Sequence, residues 1–205
     1  MNTSSLRKIV CTGMLALLFV SGTLNAAGFH YRLEVAATLE LDEKSQLTAV
    51  QMDWLYDAEL SSVLMDGEDL SADKRDEVLK RRAADILEGL DGMDYFTSLY
   101  LEDKFLHVAA VKNYTLSLAD QNRLRLNLTL PLKQAADLTG KKLLMKVSDE
   151  TGIGLATVSS ADSVTLPATL AKLCKGPSLL KEDLGEVDGH QVFAETITID
   201  CQKAN

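Results

Sequence analysis

Apolar residues recur at every second position over three long stretches, and that period constrains the fold more than any other feature of the chain. From residue 31 to 41, Leu33, Val35, Ala37, Leu39 and Leu41 fall on one side, with Arg32, Glu34, Thr38 and Glu40 on the other. Val50, Met52, Trp54 and Tyr56 repeat the pattern, as do Leu124, Leu126, Leu128 and Leu130. Successive side chains of a strand point to opposite faces, so each stretch predicts a strand with one buried face. The polar residues 42–46 between the first two predict an antiparallel hairpin. The core should then hold Leu33, Val35, Leu39, Val50, Met52, Trp54, Phe96, Leu126, Leu128 and Leu130.

After residue 57 the period changes. Val78, Leu79, Ala83, Ile86, Leu87 and Leu90 recur at three- and four-residue steps, the spacing of one helix face. Ser71 is the expected N-cap, and Gly89 with Gly92 the expected stop. Lys80, Arg81 and Arg82 read as a solvated outer face. Strand patterning returns at 96–101, 114–118, 124–130, 143–147, 164–166 and 192–201. Pro131 should end the long fourth-leucine strand, and Asp188-Gly189 marks a tight turn before the last one. About eight strands around one helical insertion, at about residues 57–90, make an α+β fold, mostly antiparallel and sandwich-like.

The N-terminal segment bears on location. Arg7 and Lys8 precede an apolar run, 9–20, broken only by Cys11, Thr12 and Gly13, and residues 21–27 are small or polar. That is the layout of a secretory signal peptide, with an uncleaved anchor as the alternative. About twelve residues at 1.5 Å each fall short of a ~30 Å bilayer core. The expectation is a cleaved segment 1–27 and a single periplasmic α+β domain, 28–205, with no direct membrane insertion. Cleavage removes Arg7 and Lys8 and no acidic residue, so the formal charge moves from −9 to −11. So acidic a chain lacks the basic footprint of a nucleic-acid partner. Cys174 and Cys201 remain, and an even pair in an oxidising compartment predicts a disulfide, with two free thiols as the alternative.

Two histidines carry candidate metal chemistry. Cleavage after Ala27 would leave Gly28-Phe29-His30 at the start of the mature chain. The Gly28 amine, two backbone amides and the His30 imidazole can form a square-planar nitrogen site that selects Cu(II) or Ni(II). His190, with Asp188 and Glu186, is the second candidate ligand set, against the plainer reading of a solvated acidic turn. His107 reads as structural. The chain has no Gly-x-Ser-x-Gly turn, no His-Glu-x-x-His and no Cys-x-x-Cys. An enzyme is therefore not expected.

Four stretches, in order, match a known pattern. His30-Tyr31-Arg32-Leu33-Glu34 stands where a His-Pro-His-Val-Phe-x-Asp-like strand would begin, and Trp54-Leu55-Tyr56-Asp57 is similar to a Trp-x-Phe-Asp element leading into a short helix. Asp94-Tyr95-Phe96-Thr97 is similar to Tyr-x-Tyr-Phe-Thr. Leu130-Pro131-Leu132, Leu138-Thr139-Gly140-Lys141 and Val147-Ser148-Asp149 follow a Leu-Pro-Leu, Leu-x-Gly-Lys and Val-Tyr-Asp series. With these the chain resembles the bacterial family called domain of unknown function 1007. Its members are labelled the periplasmic component of an uncharacterised ABC-type transport system.

The resemblance implies an exported accessory or binding protein beside an inner-membrane metal permease or ABC transporter, handling nickel, cobalt or zinc. With the Cu(II) or Ni(II) chelate at Gly28 and His30, the expected cofactor is a divalent transition metal (Cu, Ni, Co or Zn). The departures imply an alternative. Gly28-Phe29-His30 keeps one imidazole where the family has two, and 66–71 lacks glycine at the turn position of a calcium loop and a glutamate at its last ligand position. A non-enzymatic envelope interaction protein that has lost the family's metal ligands fits those departures.

Overall fold

Strand β1 (Tyr31–Leu41) and strand β2 (Leu47–Tyr56) form the hairpin that the alternation predicts, with Val35 opposite Trp54 and Leu39 opposite Val50. These coordinates are a computed structural model, which describes residues 31–202. Segment 1–27, Gly28 and His30 lie outside the described residues, so the signal-peptide and N-terminal metal readings do too.

The strands that follow are β3 (Thr97–Leu101), β4 (Lys104–Phe105), β5 (Tyr114–Leu118), β6 (Leu124–Ala136) and β7 (Lys142–Val147). After them come β8 (Gly154–Thr157), β9 (Val164–Thr165), β10 (Ser178–Val187) and β11 (His190–Asp200). Helices α1 (Ala58–Leu64) and α2 (Arg75–Asp91) fill the insertion after β2, and α3 (Ala168–Leu173) precedes β10. One sheet runs β5-β6-β2-β1-β8, with β9 also beside β1, and the other runs β10-β11-β7-β3-β4. The fold is α+β and sandwich-like, mostly antiparallel, but β8 and β9 run parallel to β1.

All ten residues expected in the core are buried, Trp54 and Leu33 completely. The second sheet meets them with Leu99, Leu143, Met145, Ile197 and Ile199, each fully buried. Each such side chain contributes roughly 1.5–3 kcal/mol of transfer free energy, so this interface dominates the stability.

Several local expectations are corrected. The insertion holds two helices rather than one. Asp57 caps α1 by accepting from the Leu60 amide at 2.7 Å. Ser71 does not cap α2. Its carbonyl accepts from the amides of Lys74 and Arg75, which makes a separate turn, and the helix starts at Arg75. Asp76 and Glu77 in the first turn face the positive end of the helix dipole instead. Gly89 lies inside α2, and Gly92 alone is its stop.

Pro131 does not end β6. The register places Ala49 opposite Pro131 but Leu47 opposite Ala136, so the residue without an N–H sits where pairing is already interrupted. The alternation does not announce β4, β8, β10 or helix α3; β4 is only two residues long. Strand β8 is four residues long, and β10 is exposed along nearly its whole length, so neither carries a strong period-two signal.

The Asp188-Gly189 turn is as expected. Val187 pairs with His190, and both turn residues have positive φ, 49° and 84°, as a two-residue hairpin turn requires. The Cys174–Cys201 disulfide is formed and ties the end of α3 to the end of β11. Closing its loop is worth about 3–4 kcal/mol in the chain-entropy model. No helix among the described residues is long and apolar enough to cross a membrane.

Candidate functional site

Residues 31–32, 54–57, 94–97 and 147–149 of the four stretches that carry the resemblance lie far apart in sequence and meet at one end of the sandwich. Residues 130–132 and 138–141 lie toward the other end, where Pro131 pairs with Ala49 and the Gly140 amide donates to the Cys201 carbonyl. At the start of β1, the Tyr31 hydroxyl donates to Asp149 Oδ2 at 2.8 Å. The Arg32 amide donates to the Asp57 carboxylate, and the Asp57 amide returns a bond to the Arg32 carbonyl at 3.0 Å. At the end of β2, Trp54 stacks on Phe96 with ring centroids 5.8 Å apart. The Phe96 carbonyl accepts from the Ser148 amide at 3.0 Å, next to the Thr97–Val147 pair that joins β3 to β7. The Ser148 hydroxyl reaches on to the Phe193 carbonyl at 2.7 Å.

Asp149 is the polar centre of this end. It is 3% exposed and accepts from four donors: the Tyr31 hydroxyl, the Thr151 amide and hydroxyl, and the Gly154 amide. Those four donors offset the cost of burying its oxygens away from water. Burial, and then the bond to Asp149, push the Tyr31 phenol well above its ordinary range. Burial does the same to Tyr56 on the neighbouring strand.

Between Trp54 and Asp149 the backbone does something unusual. Asp94, Tyr95 and Phe96 all have positive φ, at 46°, 51° and 49°. Left-handed backbone costs a residue with a side chain about 1–2 kcal/mol, so three in succession need compensation. The Tyr95 hydroxyl donates to Asp91 at 2.9 Å, Phe96 rests on Trp54, and the Phe96 carbonyl is held by Ser148. The next residue, Thr97, is 4% exposed, and its hydroxyl has no hydrogen-bond partner. The buried indole N–H of Trp54 has none either. Such groups cost about 1–3 kcal/mol each.

Cavities of about 240 and 290 Å³ open on either side of this turn, and Asp94 and Thr97 line both. The first is also lined by Lys146, Ser148 and Thr151, the second by Tyr95, His107 and Lys133. Strained backbone and unsatisfied buried polar groups beside a cavity are the features by which recognition sites stand out from packing. The site can offer hydroxyls, the ammonium groups of Lys146 and Lys133, and carboxylates to a small polar group.

His190 opens β11, where its partner across the turn is Val187. Glu186 pairs with Gln191, one position further along, and alternation puts it on the opposite face of the hairpin from His190. Asp188 occupies the turn itself. Among the described residues, no group of three or more His, Cys, Asp and Glu lies close enough together to hold a metal ion. His107 packs edge-on against Phe105, centroids 5.0 Å apart.

Sequence reasoning did not single out Thr97, Tyr31 or Asp149 as site residues. The available signal was the Asp-Tyr-Phe-Thr and Val-Ser-Asp elements themselves, two polar-aromatic motifs that strand periodicity does not demand.

A family model described as a protein of unknown function (DUF1007) matches residues 14–153, which include all four stretches that carry the resemblance. No curated protein matches the chain.

Proposed function

The chain belongs to the DUF1007 family of proteins of unknown function, and from that premise we propose that it is an exported periplasmic accessory or binding protein without catalytic activity. It works by recognition at the end of the sandwich where β2, the left-handed turn and β7 meet. The observation that carries this reading is Thr97: a buried hydroxyl without a partner, set directly after three left-handed residues and lining two cavities. The Cys174–Cys201 disulfide supports export, because such a bond persists in an oxidising compartment.

The association with nickel, cobalt or zinc transport follows from the resemblance alone. Cells deleted for the chain should take up less of one of these metals, and the intact protein should restore uptake. Thr97→Val removes the orphan hydroxyl without a cavity, so it should fold at least as well and fail to restore uptake. Unchanged uptake of every metal in the deleted cells would sink the transport reading. Full rescue by the valine variant would sink Thr97 as the recognition residue.

The second reading places a metal on the amine of Gly28 and the imidazole of His30. It is favoured by one feature of the sequence, a histidine that would be the third residue if the signal segment is cut after Ala27. Cu(II) titration of the native, His30→Ala and N-terminally tagged proteins decides it. Tight binding by the native form alone supports that site, and equal affinity in all three removes it.

A further inference from the structure

Among the four strands that end the two sheets, β10 stands apart. Strand β4 is two residues long, β5 lies under α2, and β8 is held at its end by Glu195, which accepts from Thr157 and from the Val158 amide. Strand β10 has ten residues, is terminal in its sheet, and is exposed along nearly its whole length. Leu180, Leu184 and Val187 are 57, 49 and 43% exposed, three of the most exposed large apolar residues described. A long apolar edge strand is a template for pairing with another chain, so its protection reveals what it is meant to exclude.

The protection here is all of one sign. Glu182, Asp183, Glu186 and Asp188 lie along the strand and its turn. The one lysine of the strand, Lys181, is taken by the buried Glu195 carboxylate at 2.8 Å. A second copy of this chain, itself strongly acidic, would set four carboxylates against four. A strand carrying lysine or arginine would meet charge of opposite sign and three exposed apolar side chains.

We propose that the outer edge of β10 is a docking site for an extended, basic and apolar segment of another protein, which adds as a further strand to the second sheet. Main-chain hydrogen bonds supply the affinity, and the carboxylates choose the partner. The bulge between Asp183 and Gly185, where Leu184 has no partner on β11, limits the register the guest strand can take. The hairpin lies beyond the residues matched by the family model. The inference is therefore independent of the site proposed above and of any metal on the N-terminus.

The probe is an eight-residue peptide of alternating lysine and valine, titrated into the full exported protein and followed by fluorescence anisotropy. An alternating glutamate–valine peptide controls for apolar adhesion. The same lysine–valine peptide, N-methylated at alternate backbone nitrogens, keeps every charge but cannot pair as a strand. The lysine–valine peptide should bind, more weakly at high salt. N-methylation, and separately the double variant Glu182→Lys/Glu186→Lys, should each weaken binding on the order of tenfold or more. The replaced residues are exposed, so an unchanged melting temperature confirms that the variant is folded. Equal binding of the two unmethylated peptides overturns the proposal. So does indifference to N-methylation, which leaves only electrostatic adhesion, or dimerisation of the free protein through β10, which makes a second copy the occupant.

Discussion

The end of the sandwich around Asp149 and strand β10 with its turn both carry carboxylates, yet they use them in opposite ways. Asp149 is buried and spends its acceptor capacity on four internal donors. Asp57 likewise caps a helix and bonds the Arg32 amide. On the hairpin, Glu182, Glu186 and Asp188 stay exposed, and Asp183 only organises the local bulge with Gly185 and Gln191. Inward carboxylates fix one arrangement of segments distant in sequence. Outward ones decide what can approach. The family match covers the first region and ends at residue 153, before the second.

The largest expected difference between the regions is in core packing. Trp54 is fully buried and stacked on Phe96. Trp54→Ala should cost about 3–5 kcal/mol, read as a fall in the denaturant midpoint. A loss below about 1 kcal/mol would mean that the end around Phe96 is loose, and the contrast with the hairpin would collapse.

A glycine pair sharpens the same contrast. A Cβ at Gly154 would lie 2.0 Å from Cζ of Tyr31, inside the ring that donates to Asp149. A Cβ at Gly176, near the disulfide, would meet nothing within 4 Å. Gly154→Ala should therefore cost about 1–3 kcal/mol or more by forcing Tyr31 off its partner. Gly176→Ala should be neutral, or stabilising by up to about 1 kcal/mol through the unfolded chain. Comparable losses at both positions would break the comparison.

Alkaline titration gives a smaller effect confined to one region. Tyr31 and Tyr56 have phenols raised by burial, Tyr31 also by Asp149, so the folded chain holds both protons after the unfolded chain has begun to release them. Their contribution is complete below the unfolded phenol value of about 10 and declines as pH rises through and beyond it. Urea midpoints from about pH 9 to 11 should fall, and Tyr31→Phe should make the fall shallower. An identical slope in the variant would show that Tyr31 is not buried against Asp149.

How much of this was legible in the sequence depended on burial. The alternation of β1, β2 and the first half of β6 gave their faces correctly, because each strand buries one face against the other sheet. The Asp188-Gly189 turn was legible because its left-handed backbone favours those residue types. Strand β10 was not, since Ser178-Leu179-Leu180-Lys181-Glu182-Asp183 buries neither face fully and nothing imposes a period on it. Pro131 misled because its cost depends on register, and register is a property of two strands. At the candidate site the aromatic elements were visible, but their meeting with Asp149 was not, because tertiary pairing between residues 31 and 149 has no local signature.

The smallest effect tests the hairpin directly. Leu184 is 49% exposed, sits in the bulge and faces no residue of β11. Its exposed surface returns little transfer free energy on folding, and no hydrogen-bonded pair depends on its side chain. Leu184→Ser should thus change stability by no more than about 0.5 kcal/mol, as surface substitutions usually do. If the strand serves as an edge for a guest, the same change should weaken the lysine–valine peptide while leaving the melting temperature alone. A variant that loses stability by well over about 1 kcal/mol would show that Leu184 is packed within its own chain, and β10 would then be one more strand of the core rather than an edge held open.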